Sequence, residues 1–129
     1  MTRAFAVLTS EANGYRSREQ GTAAVALEAG QVVEFHPGAA EVIADPGAEP
    51  PVVGSPAVPE GYHPYGTAGV TAGTAAVALH AVAAGADGVF AVRDCEVADQ
   101  LLVVDEADFD DAVADLAAKG VIARDSIVL

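Results

Sequence analysis

With a single cysteine, Cys95, among its 129 residues, the chain can have no internal disulfide holding it together. It has no tryptophan, and aromatics make up only 5% against 52% hydrophobic residues overall, so its core must be built mainly from Ala and Val. Small side chains bury less apolar area per residue, which makes assembly with further copies an expectation. Basic residues are also scarce. Six Lys and Arg against 19 Asp and Glu leave a formal charge of −13, and a field of that sign repels phosphate backbones, excluding direct nucleic-acid binding. Residues 61–86 carry no formal charge, but Gly66, Gly69, Gly73, three Thr, Pro64 and His80 make that span too polar and too β-prone to insert in a membrane. The apolar run 4–8 is too short for a signal-peptide core, so a soluble chain without a targeting sequence is expected.

The motifs that would announce an enzyme are missing too. The thirteen glycines include no phosphate-cradling loop and no dinucleotide fingerprint. His36, His63 and His80 share no metal-ligand spacing, so no metal or other cofactor is expected, and His80 reads as a satisfied or edge histidine in an Ala/Val strand. Cys95 lacks a patterned histidine partner and reads as an ordinary small residue rather than a nucleophile. The acid run 105–111 lacks the central glycine and terminal glutamate of a calcium loop, and helix capping with a solvated face explains it better. No catalytic residue is expected.

What is present is a β pattern with one helix. Strand composition fills 22–27 and 31–35, separated by a turn at 28–31, with a further short strand at 41–45. Six prolines between Pro46 and Pro64 remove backbone donors, so 46–65 is expected to be an extended surface loop rather than a central strand. Two Ala/Val strands, 71–82 and 88–92, are joined by 83–88, where Asp87-Gly88 is the hairpin signal. Another strand is expected over 97–104, interrupted near Asp99. The spacing of Phe109, Val113 and Leu116 predicts a helix over 105–119 with those residues facing the core, Asp105 as its N-cap and Gly120 as its stop. Residues 121–129 alternate enough to return as a final strand. The fold class is therefore mainly β with one α-helix.

Charge divides the chain. Residues 1–20 carry a net +1 and a turn signal at Asn13-Gly14, against −14 for 21–129, which suggests a flexible N-terminal arm ahead of a single β-rich body. On that arm Arg16, Ser17, Arg18, Glu19 and Gln20 form the polar cluster favoured as functional, since a mobile basic segment can dock on another protein's sheet edge. Such an arm should be removable without unfolding the body. Tyr62, His63 and Tyr65, at the end of the proline segment, either anchor that segment to the body or contact a partner.

Several segments, in this order and spacing, resemble the head decoration family of tailed bacteriophages. They are Ser17-Arg-Glu-Gln20, Glu28-Ala-Gly-Gln-Val-Val33, Leu79-His-Ala-Val-Ala83, Val92-Arg-Asp-Cys-Glu-Val97 and Leu116-Ala-Ala-Lys-Gly-Val-Ile-Ala-Arg124, within a similarity running from about Tyr15 to Leu129. The resemblance implies a β-clip-like fold and a homotrimer on the outer surface of the expanded virion shell. It also implies that the N-terminal arm orders on the major capsid protein, and that the trimer clamps the capsid against packaged DNA. It implies no enzyme activity. The chain departs from the family where Val104-Asp105 replaces an expected Trp-Pro pair, and in the proline segment 46–65, which is an addition. The rival readings are a small-molecule-binding or regulatory β/α domain of a bacterial cytoplasmic protein, with Tyr62 to Tyr65 lining a pocket, and a metal-dependent β-barrel enzyme using the histidines.

Overall fold

The computed structural model describes residues 7–11, 17–67 and 75–124. In chain order the strands are β1 Leu8–Glu11, β2 Arg18–Thr22, β3 Val32–His36, β4 Val42–Asp45, β5 Val52–Ser55, β6 Gly61–Pro64, β7 Ala75–Ala78, β8 Asp87–Ala91 and β9 Cys95–Ala98. Helix α1 Phe109–Ala118 and β10 Val121–Arg124 complete them, with one-turn 3-10 helices at Asp99–Leu101 and Glu106–Asp108. The fold is mainly β with one α-helix, as the sequence predicts, and no helix among the described residues is long and apolar enough to cross a membrane.

A five-stranded sheet in the order β2-β8-β7-β3-β6 forms the centre, with every pairing antiparallel. A three-stranded sheet, β1-β9-β10, faces it. β9 and β10 run parallel, and parallel neighbours need a long crossover, which here contains α1. Strands β4 and β5 pair only with each other, in a separate two-stranded ribbon.

All four residues of β7 are buried, because this strand has core on both faces. Successive side chains point to opposite sides of a strand. Ala75 and Val77 therefore join Val32, Ala91, Val97, Leu116 and Val121 in a core between the two sheets and α1. Ala76 and Ala78 join Leu27, Val33, Tyr62, Val82 and Phe90 on the other face. An Ala/Val strand suits this central position, where larger side chains would crowd both layers at once.

The structure corrects several sequence expectations. Residues 7–11 and 17–20 are not a detached arm: Val7, Leu8 and Ser17 are buried, β1 pairs with β9, and Arg18 to Thr22 pair with Ala91 to Asp87 of β8. A polar strand carries no apolar alternation to announce itself, so only its partner β8 fixes it as a strand. Of the expected strand 22–27 only Thr22 is in a strand, as the end of β2; Ala23 and Leu27 make isolated bridges to Tyr62 and Val82. The segment 46–65 is not one long loop, since it contains β5 and β6. Pro64 is tolerated because β6 is an edge strand, which the proline argument permits.

Asp87-Gly88 opens β8 instead of turning the chain. The reversal lies at 83–85, where Gly85 takes φ +78°. The expected strand 97–104 ends at Ala98, in a 3-10 turn. Asp105 caps only the second 3-10 turn, Glu106–Asp108, without a side-chain bond, and α1 begins only at Phe109. Leu116 is fully buried as expected, but its companion on the core face is Ala112, while Phe109 and Val113 are only half-buried. Gly120, at φ +80°, does end the helix. The expected residues 71–74 and 125–129 lie outside the described residues.

Candidate functional site

Of the five N-terminal candidates, Arg16 lies outside the described residues. Ser17 is fully buried and its carbonyl accepts the Val92 N–H at 2.8 Å. Arg18, Glu19 and Gln20 stand on β2, an end strand of the central sheet, opposite Ala91, Phe90 and Val89. Glu19 and Gln20 are exposed and Arg18 is half-buried. Glu19 forms an ion pair with Arg93 at 3.3 Å. Thr22 donates to Asp87 Oδ1 at 2.7 Å, so the strand is tied to its neighbour by side chains as well as by the ladder.

The aromatic candidates are anchors. Tyr62 stacks on Phe90 with centroids 4.1 Å apart and meets Phe35 edge-to-face at 5.5 Å. Burial, and the negative charge of Glu19, raise its hydroxyl pKa, with Arg93 opposing. His63 is buried and its Nε2 donates to the Pro59 carbonyl at 2.8 Å, fastening the proline segment where it enters β6. Tyr62 and His63 therefore serve as anchors, Tyr62 in the core and His63 on the proline segment. Tyr62 also lines an open depression together with Phe35, Arg93 and Lys119.

Tyr65 is different. Its hydroxyl donates to Asp115 on α1, and burial followed by that bond and the charge of Asp115 push its pKa up. Next to it, Glu34 of β3 is 3% exposed; its Oε1 accepts the Gly66 N–H at 3.3 Å, and its Oε2 has no hydrogen-bond partner. Burial raises the Glu34 pKa, the Gly66 bond opposes this, and the charge of Asp115 adds to it. The Glu34, Tyr65 and Asp115 group thus joins the end of β6 to α1, and the sequence reading did not single out Glu34 or Asp115. A signal for Glu34 was available, because it shares the alternation phase of Val32 and so points into the same core.

The remaining histidines are satisfied locally. His80 Nε2 accepts the Val89 N–H at 3.1 Å while Nδ1 faces the Ala81 carbonyl at 2.8 Å, which fixes a neutral tautomer with the proton on Nδ1. His36 Nδ1 accepts the Gly38 N–H at 2.9 Å. Among the described residues no group of three or more His, Cys, Asp or Glu is placed to hold a metal ion. Cys95 is buried in the core between the sheets, where a thiol packs as a small apolar group.

Among the described residues, exposed large apolar side chains concentrate on the β4–β5 ribbon. Val42, Ile43, Val52 and Val53 are all exposed there, at 56, 38, 52 and 48%. Among the described residues, the polar outer strand β2 and the apolar ribbon both offer contact chemistry. No protein-family model, curated protein or solved structure matches the chain.

Proposed function

We propose that the protein is a structural decoration subunit of a tailed-bacteriophage head, a homotrimer that binds the major capsid protein on the outer surface of the expanded shell. The observation that supports this reading is where the resembling segments fall. Ser17 to Gln20 lead into and form most of β2, 28–33 leads into β3, and 79–83 follows β7. The segment 92–97 supplies most of β9, and 116–124 spans the end of α1 and all of β10. Scattered over the sequence, most of these pieces belong to or border the two facing sheets and their helix, whereas the added proline segment contributes β5 of the ribbon and β6 at the edge of the central sheet.

The acidic body suits a role that needs no hold on DNA. Docking runs through Arg16 to Gln20: β2 ends its sheet, so a capsid strand can add to its outer edge, with Arg16 and Arg18 making charge-assisted contacts. Co-sedimentation with shells of the major capsid protein encoded in the same genome tests this. Binding in multiples of three to expanded shells is expected, and changing Arg16 and Arg18 to Ala should weaken it and reduce its salt sensitivity. Absence of binding to expanded shells at saturating concentration would overturn the reading.

A further inference from the structure

We propose that the β4–β5 ribbon is a docking finger for a second protein whose contact surface is an apolar cleft rimmed by lysine or arginine side chains. Among the described residues six large apolar side chains are exposed, and four of them, Val42, Ile43, Val52 and Val53, crowd this ribbon of eight strand residues. The ribbon pairs with neither of the other sheets, and at its base the Ala39 and Val58 backbones are paired at 2.8 and 2.9 Å. A two-stranded ribbon without a covered face is marginal in water, and such clustering of Val and Ile marks a contact surface.

Its side chains, not its edges, make the contact. Ala44 and Gly54 are each passed over by the pairing register, a bulge on either strand, and bulged edges pair poorly with an added strand.

Charge then selects the occupant. Glu41, Asp45, Glu49 and Glu60 are exposed on and beside the ribbon, and the chain has no Lys or Arg anywhere from 19 to 92. A second copy would bring −13 more charge, and its Arg93 and Arg124 are already held by Glu19 and Glu96. Nucleic acid and anionic lipid are repelled by the same acids. A basic rim around an apolar cleft satisfies both the exposed apolar side chains and the four carboxylates. The proposal does not depend on the capsid reading.

The test uses the isotope-labelled full chain, with a Lys/Val-alternating peptide as a mimic of a basic apolar surface. Amide shifts should concentrate on 41–45 and 52–55 and fade with added salt. A double Ile43→Ser, Val53→Ser change, at exposed positions outside both core clusters, should leave the other amides in place and cut affinity about tenfold or more. Equal binding of a Lys/Ser peptide would reduce the contact to charge alone, and equal binding of a Glu/Val peptide to apolar contact alone. Either result overturns the proposal. So do ribbon shifts that depend only on the protein's own concentration, binding to phosphatidylcholine vesicles, or no ribbon shift with the Lys/Val peptide at millimolar concentration.

Discussion

Strand β7 and strand β4 are both four residues long, and both are mostly Ala, Val or Ile, yet every residue of β7 is buried and every residue of β4 is exposed. The residues differ little in kind; what differs is what lies on either side. β7 has paired neighbours on both edges and a packed core on both faces, whereas β4 has one neighbour and no core. Apolar composition in this chain therefore measures two things, stability in the body and stickiness in the ribbon. The two regions should respond to substitution in opposite ways.

The largest effect should come from the N-terminal end of the body. Removing residues 1–20 takes away β1 and most of β2 along with the buried Val7, Leu8 and Ser17. Cooperative thermal unfolding, followed by circular dichroism, should disappear. A truncated chain that unfolds at the full-length temperature would restore the detachable arm and blur the line between body and appendage.

Next in size is the helix contact. Leu116→Ala empties a fully buried site between α1 and the sheets and should cost roughly 2–5 kcal/mol in denaturant unfolding. A loss under about 0.5 kcal/mol would mean that α1 is as loosely held as the ribbon.

The buried carboxyl should show itself through pH. A group whose pKa is raised by folding stabilises the fold below its ordinary value, 4.5 for Glu34, and that contribution is lost as pH rises through the raised value. Stability should therefore fall over that interval. Glu34→Gln keeps an acceptor for Gly66 but cannot ionise, so it should flatten this fall. Unfolding midpoints measured across pH for both proteins decide it, and parallel curves would remove Glu34 from the account.

Smallest should be the ribbon itself. Val53→Ser exposes no cavity and should change stability by less than about 0.5 kcal/mol, while raising solubility. A loss as large as that of Leu116→Ala would show that the ribbon packs on something in the free protein, and the contrast with β7 would collapse.

Local pattern made much of the fold legible. Helical spacing located α1 and its stop at Gly120, and the strand composition of 31–35 located β3, while the density of prolines excluded a central strand from 46–65 without revealing β5 and β6. Lack of pattern hid β2, since Arg18 to Thr22 is polar throughout and is a strand only because β8 lies beside it. The candidate site was less legible. Tyr62, His63 and Tyr65 were readable as notable residues, but burial decided that two of them serve the core. Glu34 and Asp115, far apart in sequence, come to adjoin Tyr65 only when β3, β6 and α1 pack together.

By itself the sequence determined the mainly-β class, the single helix, the disulfide-free core of small side chains and the acidic field, because these follow from composition and from periodicities of two to four residues. Tertiary structure alone decided which Ala/Val segment lies between two layers and which stands in water. It also decided that residues 8–11 and 18–20 of the supposed arm are strands of two sheets, and that one oxygen of the buried Glu34 carboxyl is left without a hydrogen-bond partner. Burial depends on what the rest of the chain brings to each face, and no window of neighbouring residues contains that information.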